Sequence, residues 1–512
     1  MPTVQDRPTA SFAAKTRSPA PAGSVGQRAP GLHRALHAGA TKWRVFAAIA
    51  IAAVGWAAAL AAGVPGHFSV DSVSQLAQGR AGLFNDWHPP LMAWLLGLAD
   101  RIAPGAALFA VADVSIFFAG LLGFALSTRP PRKRGLLVLA FVAATPQALV
   151  FQGVVWKDIL FADAALFAFA AVAQAGRADG WASRAWLGLA FVACVVAMLV
   201  RQAGFVVPFA VAAVYVAIEA MGRSRAVAGA IARASAGLLA LLLIAVLSHA
   251  AFAARSDGRP GGRAQLAMLR AFDLAGSLRL EPALPTTALH IRAPSLERFE
   301  RTEAASTWQA NTIDGLDDLP GASVILPPST PALADDWWKL VLRHPWLYVR
   351  MRAQVFWDTL ATPDSANCPL VSVGVQDRDR AELARAGLRP RLTARDQWDE
   401  DYVWSFWDTP VLSHLAWGAL ALTLLALDLR DVAHGDRRPG TLAATGLAVA
   451  ALAYAATYFA ASIACDYRYL YLVDVAAMAA LVRRSAARPV KRQAARPTTA
   501  VARLSSLPHP TR

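Results

Sequence analysis

Charged residues and cysteine are both scarce in this sequence of 512 residues. Charged side chains make up 17% and hydrophobic ones 56%, which argues against an ordinary soluble globular protein and predicts a membrane protein. The three cysteines, at positions 194, 368 and 465, show no CxxC spacing, which argues against a zinc-finger type of metal site. A disulfide between Cys368 and Cys465 stays open as an alternative, provided that both face an oxidising compartment.

Motifs of nucleotide-driven and zinc-dependent chemistry are also missing. The sequence contains no GxGxxG, no P-loop and no HExxH, which argues against an ATP-driven pump and a zincin protease. The formal net charge is +15, but the basic residues lie mainly at the two ends and in short loops between apolar runs. This distribution is typical of positive-inside topology, so we predict that the chain does not bind nucleic acid.

Long apolar runs are what the sequence has in abundance. They predict an all-α polytopic membrane protein with about ten transmembrane helices. The loops assigned to the cytoplasm carry more arginine and lysine than acid, which places both termini in the cytoplasm. The predicted spans are 45–64, 106–127, 136–151, 159–175, 186–200, 205–220, 230–252, 410–427, 441–462 and 469–482.

These runs divide the chain into five regions. The two ends, which are rich in Pro, Ala and Arg, are predicted to be disordered. A mixed extracytoplasmic domain is predicted between the seventh and eighth helices, and a surface helix at 91–103. The regions are 1–40 (cytoplasmic tail), 41–253 (helices 1–7, with the first outer loop at 65–105), 254–405 (extracytoplasmic domain), 406–483 (helices 8–10) and 484–512 (basic cytoplasmic tail).

Charged side chains collect at one face of the predicted membrane domain, outside the bilayer. Ionisable groups at a membrane edge are costly and tend to mark function, and opposite charges there are usually paired. Each also has a structural interpretation, since Lys157 and Asp158 can form a local salt bridge and Arg201 or Arg468 can simply end a helix. The residues on this face are Asp71, Asp86, His88, Lys157, Asp158, Arg201, Asp466 and Arg468.

This combination of groups suits a substrate that carries phosphate. A carboxylate at the membrane surface can act as general base on an acceptor hydroxyl, or it can hold a divalent metal. Arginine binds phosphate as a bidentate fork and lysine binds it as a point charge. A base beside cations at the outer surface is what a lipid-phosphate sugar donor requires, because its tail needs the bilayer and its phosphate needs cations.

The first outer loop resembles that of the glycosyltransferase C superfamily, whose members use polyprenyl-phosphate sugars. Asp71 in VDSVSQ matches the acidic motif of that loop, and DWHPPL, Asp86 to Leu91, matches a Pro-Pro motif. Two residues depart from the better-known branch of the superfamily. Ser72 follows Asp71 where a second acid is common, which weakens a paired-acid metal site, and His88 stands where lysine is common.

Four further pieces look like recurring motifs of a less-studied bacterial branch of the superfamily. They are WKD at Trp156, RQAG at Arg201, FDLAGS at Phe272 and DYRYLY at Asp466. The resemblance implies an inverting glycosyltransferase of the bacterial inner membrane with an extracytoplasmic active site. Its sugar would pass from a polyprenyl-phosphate donor to a glycan, lipid or protein of the cell envelope.

The resemblance also implies roles for individual residues. Asp71 is the expected catalytic base, and Lys157, Arg201 and Arg468 are the expected ligands of the lipid phosphate. A divalent metal, Mg or Mn, is an expected cofactor if acids of the site hold one. The remaining expected substrate-binding residues are Asp86, His88, Asp158 and Asp466, of which the last two orient the substrate or bind the metal.

Two other functions stay open on the sequence. A flippase for a lipid-linked sugar would carry charges near the middle of its spans, in two matching halves. This sequence places its charges at one face and shows no matching halves, so the enzyme is favoured. A scaffold without catalysis predicts that substitution of Asp71 or Arg468 changes only abundance or partner binding.

Overall fold

The computed structural model describes residues 30–488, apart from 129, 223–226, 260, 313–314, 317–318, 326–329, 362–366, 369 and 377–379. The chain divides into a short unit, Met1–Trp43, and a large unit, Arg44–Arg512. The site residues all belong to the large unit. Of the predicted disordered tails, residues 1–29 and 489–512 lie outside the described residues. The first helix begins at Pro30, inside the predicted N-terminal tail, and the last ends at Ala486.

Regular structure in the described residues is helical, with isolated β-bridges and no strand. This confirms the prediction of an all-α protein. Short 3-10 turns lie at Phe151–Gly153, Ala322–Ile325, Pro410–Leu412 and Tyr467–Leu470, and a π turn lies at Glu300–Ala304. The α-helices are α1 (Pro30–Gly63), α2 (Val70–Ala81), α3 (Leu91–Ile102), α4 (Ala107–Ala125), α5 (Lys133–Ala143), α6 (Pro146–Leu149), α7 (Lys157–Ala175), α8 (Gly180–Val200), α9 (Val206–Gly222), α10 (Val227–Ala253), α11 (Gly262–Leu280), α12 (Thr287–Arg292), α13 (Pro294–Phe299), α14 (Ala305–Thr307), α15 (Thr330–Arg343), α16 (Pro345–Ala361), α17 (Arg380–Arg385), α18 (Ala394–Trp404), α19 (His414–Ala433), α20 (Pro439–Ala461) and α21 (Tyr471–Ala486).

Six of the described helices are long and apolar enough to cross a membrane, which confirms a multi-span protein. They are α4, α7, α8, α10, α20 and the part of α1 from Lys42. A seventh span results if α5 and the segment Pro146–Gly153, which meet at 71°, are counted together. Pro146 explains this bend, since proline lacks the N–H that continues a helix.

The remaining three predicted spans are helical but do not meet the same criteria. Helix α9 offers only the apolar stretch Val206–Met221, and α21 is also short, with 16 residues. Helix α19 carries Asp428, Arg430 and Asp431 in its second half. The count of ten spans is therefore not confirmed.

Helix α7 forms the centre of the membrane-spanning part. Every residue in it except Phe167 is buried, including the charged residues Lys157, Asp158 and Asp163. Small residues on its neighbours allow close packing, because a Cβ on Gly120 of α4 would lie 2.7 Å from Leu166, and one on Gly446 of α20 would lie 2.9 Å from Phe169. The first turn of α7 therefore holds its charged residues inside the molecule.

The region 254–405, predicted to be a mixed domain, is helical in its described residues. It contains α11 to α18 and an antiparallel bridge between Val375 and Arg391, so the prediction of a mixed domain is corrected. A separate apolar core lies between α11, α15 and α16. Asp273 of the FDLAGS motif is buried there in an ion pair with Arg352, and Trp337 Nε1 donates to its carboxylate at 2.7 Å. The acid of this motif therefore belongs to the core of the region 254–405.

The short segment 64–69 connects α1 to α2 and forms hydrogen bonds with two other parts of the chain. His67 N–H donates to the carbonyl of Gly153 at 2.9 Å, and the N–H of Val155 donates back to His67 at 3.0 Å. On the other side, Phe68 N–H donates to the carbonyl of Gly374 at 2.8 Å. Because α2 begins directly after this segment, its first turn is fixed against both the membrane-spanning helices and the region 254–405.

Candidate active site

Asp71 lies in the first turn of α2, and two serines set where that helix begins. Ser69 N–H donates to Ser72 Oγ at 2.8 Å, and Ser72 Oγ donates to the Ser69 carbonyl at 3.0 Å. Trp156 Nε1 donates to Ser69 Oγ at 2.9 Å. Ser72, which stands where a second acid is common, thus forms part of the helix cap. The acid that remains is stabilised by the positive end of the helix dipole.

Three side chains from different parts of the chain surround the carboxylate of Asp71. Arg468 Nη1 lies 2.7 Å from Oδ2, and Lys157 Nζ lies 3.7 Å from the same oxygen. His88 Nε2 lies 3.4 Å from Oδ1. About a quarter of the Asp71 side chain, 26%, is exposed, so the carboxylate can still meet a ligand.

His88 connects Lys157 to Asp71. Lys157 Nζ lies 2.9 Å from His88 Nδ1, and an ammonium group can only donate. The imidazole therefore accepts at Nδ1 and carries its proton on Nε2, directed toward Asp71. Burial, together with the charge of Lys157, lowers the pKa of His88 below 6.5, which keeps the ring neutral near pH 7.

A second pair lies beside the first. Arg201 Nη1 is 3.0 Å from Asp158 Oδ1, and Arg201 Nε donates to the hydroxyl of Tyr454 at 3.0 Å. Arg468 joins the two pairs, because its Nε lies 3.9 Å from Asp158 Oδ2 and 2.8 Å from Asp466 Oδ2. Lys157 and Asp158 thus do not form the local salt bridge that sequence alone allowed.

Aromatic rings enclose the two arginines. The guanidinium of Arg468 lies 5.1 Å from the ring centre of Trp156 and 5.6 Å from that of Tyr469. Arg201 lies 5.7 Å from Tyr469 and 5.6 Å from Tyr458. Cation–π contacts of this kind hold a guanidinium in place without occupying its N–H groups.

The charges of the site balance. Three cations, Lys157, Arg201 and Arg468, face the carboxylates of Asp71, Asp158 and Asp466. Burial alone would raise the pKa of Asp71, but Arg468, His88 and Lys157 together hold it well below its usual range. Burial raises the pKa of Asp466 in spite of Arg468. A bound anion would therefore compete with carboxylates that are already paired.

Arg468 nevertheless keeps unused hydrogen-bonding capacity. Its Nε and Nη1 are buried and, despite their short distances to carboxylates, make no hydrogen bond of adequate geometry among the described residues. A phosphate oxygen can accept from either of these groups, since both are N–H donors of a charged guanidinium.

Two cavities meet at Asp71. The larger, of about 660 Å³, is lined by Asp71, His88 and all three cations, and by apolar residues of α11 such as Leu269 and Phe272. The smaller, of about 460 Å³, also reaches Asp71 and His88 but none of the three cations. The side chains that both cavities share are Val70, Asp71, Trp87, His88 and Met268.

The structure brings together seven of the eight residues selected from the sequence, and Asp86 is the exception. Asp86 is exposed, and its Oδ1 accepts a hydrogen bond from the N–H of Gly262 at 2.9 Å. It therefore holds the loop before His88 against the first turn of α11. It forms no hydrogen bond or ion pair with any of the other seven residues.

Four aromatic residues around the cations were not selected as site residues. Tyr454 and Tyr458 lie in an apolar span, where sequence alone cannot separate a site residue from a packing residue. Trp156 and Tyr469 are neighbours of selected residues, and that proximity was the only signal available. The apolar wall from α11 also gave no signal, because it comes from a region distant in sequence.

The acids of the site do not form a metal-binding group. Asp158 and Asp466 each face an arginine, so we derive no step through a divalent metal at this place. One group of three side chains that could hold a metal occurs elsewhere in the described residues. It consists of the buried residues His67, Asp396 and Asp399, whose ligand atoms lie within 4.8 Å of one another.

A disulfide joins Cys368 to Cys465, with their Cα atoms 5.4 Å apart, which confirms the pairing left open by the sequence. Cys465 directly precedes Asp466 and also lies near the carbonyl of Thr312. The bridge thus connects the segment that carries Asp466 and Arg468 to the region 254–405. Cys194 is free and buried.

Comparisons with known proteins add little to this geometry. No protein-family model matches the sequence, and no curated protein matches it. Among solved structures, the chain is similar to ArnT from Cupriavidus metallidurans in the apo state, at 17% identity over 87% of this chain and 78% of that one, with a TM-score of 0.32. A similarity this weak carries no argument about activity, so the resemblance to the glycosyltransferase C superfamily stays a prediction.

Proposed function

We propose that this protein is an inverting membrane glycosyltransferase that transfers a sugar from a polyprenyl-phosphate donor to an extracytoplasmic acceptor. The observation that carries the proposal is the position of Asp71. Its carboxylate lies in the wall between a large cavity with three cations and a smaller cavity without them. Such a position lets one group face a phosphate-bearing donor on one side and an acceptor on the other.

The larger cavity fits the donor. Lys157, Arg201 and Arg468 suit a phosphate group, and Arg468 has N–H groups that make no hydrogen bond among the described residues and can donate to it. The apolar side chains of α11 suit the lipid part next to the phosphate. The aromatic rings hold the two guanidinium groups in position before the donor arrives, which reduces the entropy lost on binding.

Transfer by this site proceeds by direct displacement. The acceptor hydroxyl attacks the anomeric carbon, the bond from that carbon to the phosphate oxygen breaks, and configuration inverts. Asp71 takes the hydroxyl proton, and the cations stabilise the negative charge that develops on the departing lipid phosphate. His88, held in one tautomer by Lys157, keeps the second oxygen of Asp71 in place.

The proposed location is the extracytoplasmic face of a bacterial inner membrane. The disulfide next to Asp466 supports this side, because disulfides persist in oxidising compartments and are rare in the cytosol. The excess of arginine and lysine in the opposite loops supports the same orientation. The bilayer and the lipid-linked donor are the proposed partners, together with an acceptor in the cell envelope.

The test is transfer of radiolabelled sugar from a panel of polyprenyl-phosphate donors by purified protein in lipid nanodiscs. Wild-type protein should transfer the sugar, and Asp71→Asn should lose about 10²- to 10⁴-fold in turnover, the usual contribution of a general base. Asp401→Asn, an exposed acid on α18, is the matched control and should retain activity. Equal melting temperatures for the three proteins would show that the loss is chemical.

Two results would contradict the proposal. Full activity of a folded Asp71→Asn would remove this residue as the base. No transfer from any donor, with lipid-linked sugar crossing the bilayer of reconstituted vesicles instead, would identify a flippase.

A further inference from the structure

The smaller cavity differs from the larger one in chemistry. It is lined by Ser74, Gln78, Asn85 and Ser323 and lacks the three cations of the larger cavity, and it shares Asp71 with that cavity. Its volume of about 460 Å³ is within the usual range for a small-molecule site. The residues that line only this cavity are Ser74, Gln78, Asn85, Arg259, Ala322 and Ser323.

Helix α2 arranges part of this lining as a row that starts at the base. Asp71, Ser74 and Gln78 are three and four residues apart, so they lie on the same face of the helix. The row is about 10 Å long, since each residue of an α-helix adds about 1.5 Å. A ligand along it would place one end at Asp71.

The polar side chains of this row make only long hydrogen bonds with their neighbours. Gln78 Nε2 lies 3.4 Å from Ser74 Oγ, and the N–H of Asn85 lies 3.3 Å from Gln78 Oε1. Both distances are longer than the usual value of about 2.9–3.0 Å, so ligand hydroxyl groups can replace these contacts. Trp87 adds a flat apolar ring between the two cavities.

The charges near this cavity disfavour a phosphate group. Its single cation, Arg259, lies 3.9 Å from Asp257 and 3.9 Å from Glu382, so two carboxylates already face it. A phosphate needs cations that it can pair with, and among the described residues that line this cavity Arg259 is the only cation, beside the carboxylate of Asp71. A phosphate acceptor is also already ionised and would not require Asp71 as a base.

We infer that the smaller cavity binds the acceptor, and that the acceptor is a neutral carbohydrate whose hydroxyl group is placed at Asp71. Hydroxyl and amide side chains along one wall and an indole ring between the two cavities suit the alternating polar and apolar surfaces of a sugar. This inference rests on the proposed function for the identity of the reaction, but not for the binding. The reacting hydroxyl gives its proton to Asp71 and its oxygen to the anomeric carbon of the donor, and the lipid phosphate leaves.

The first experiment measures binding without any donor. Saturation-transfer NMR on the protein in nanodiscs is recorded with three probes: neutral hexose and pentose oligosaccharides, phosphatidic acid vesicles, and a peptide rich in Ser and Thr. We expect specific signals from an oligosaccharide alone. Gln78→Ala should weaken its affinity about tenfold, roughly the value of one hydrogen bond, whereas Gln397→Ala on the exposed face of α18 should not.

The second experiment separates the two substrates kinetically. In Ser74→Ala, a change that a helix tolerates well, the KM for the oligosaccharide acceptor should rise several-fold while the KM for the donor stays constant. Oligosaccharide binding without transfer from any donor would support the carbohydrate site and would contradict the proposed glycosyltransferase activity. Transfer to the phosphate lipid or to the peptide, or no oligosaccharide binding at all, would overturn the inference.

Discussion

Arg468 Nη1 lies 2.7 Å from Asp71 Oδ2, so the proposed base and the main phosphate ligand are paired with each other in the structure. An ion pair of this kind weakens a base, because it stabilises the charged carboxylate. A donor phosphate that binds Arg468 would draw the guanidinium away and release Asp71. In the proposed mechanism, donor binding therefore activates the base.

This relationship predicts the effect of Arg468→Lys. Lysine keeps the charge but loses both the planar fork and the contacts with Trp156 and Tyr469, so it cannot bridge phosphate and carboxylates in the same way. We expect kcat/KM to fall by about 10²-fold or more, with a rise in the KM for the donor. Steady-state kinetics against the control Arg389→Lys, an exposed position, checks it. A variant with unchanged kinetics would show that Arg468 serves only the fold.

The second prediction concerns acid pH. His88 has a pKa lowered below its ordinary 6.5 in the folded protein, so the unfolded chain binds more protons and stability rises with pH across this range. At a pH below this lowered pKa, the protonated ring of the folded protein would direct N–H groups at both Lys157 and Asp71. We expect the melting temperature to decline below about pH 6.5, where the unfolded chain takes up the proton, and activity to decline at a lower pH, where the ring of the folded protein takes it up.

The matching variant for this prediction is His88→Gln, which cannot titrate near neutral pH. Its activity should be lower than that of the wild type but should change little between about pH 5 and 7. Asp71 itself does not limit this range, because its pKa lies well below the usual value and its stabilising charge is lost only at lower pH. An unchanged acid decline in His88→Gln would assign the decline to another group.

The third prediction concerns the packing that holds α2 in place. Gly79 of α2 meets Gly97 of α3 so closely that a Cβ on Gly79 would lie 2.3 Å from the carbonyl oxygen of Ala93 and 2.7 Å from the nitrogen of Gly97. Backbone atoms cannot move aside as a flexible side chain can, so we expect Gly79→Ala to destabilise the protein by about 1–3 kcal/mol. Asp71 is on the same helix, so transfer should fall as well.

Gly188→Ala is the control for this packing effect. Gly188 is also helical, and a Cβ there meets nothing within 4 Å. This variant should be as stable as the wild type or slightly more so, because alanine favours a helix by about 1 kcal/mol. Thermal melting in one detergent measures both proteins, and equal melting temperatures for the two glycine variants would contradict the packing argument.

The sequence predicted the helical architecture, and it selected most of the charged residues that the structure brings together, for a physical reason. Charged residues are unfavourable in apolar runs, so Lys157, Arg201 and Arg468 stood out in the sequence. Because the predicted spans alternate in direction across the membrane, all three were assigned to the same side. The contacts themselves were not predictable. Lys157 pairs with Asp71 and His88, 86 and 69 residues away, rather than with its neighbour Asp158. Such pairing depends on how α2 and α7 pack.

Other features could not be predicted from the sequence, because residues with different roles show the same sequence pattern. An aromatic residue in an apolar span, such as Tyr454, has the same signature whether it packs or binds an arginine. Asp86 belongs to a motif yet fixes a loop to α11 through Gly262. The region 254–405 was predicted to be a mixed domain, whereas its described residues form helices around their own core.

The fourth prediction concerns the disulfide beside the site. Cys465 is bonded to Cys368 and precedes Asp466, which holds Arg468 at 2.8 Å. In denatured, unreduced protein, maleimide labelling should detect one thiol, Cys194, and reduction should raise the number to three. The double variant Cys368→Ser/Cys465→Ser should melt at a lower temperature, since a closed loop of this kind stabilises by about 2–5 kcal/mol. Its KM for the donor should also rise, because the segment carrying Arg468 loses its anchor. Three reactive thiols before reduction would contradict both the bond and the placement of this segment on the oxidising side of the membrane.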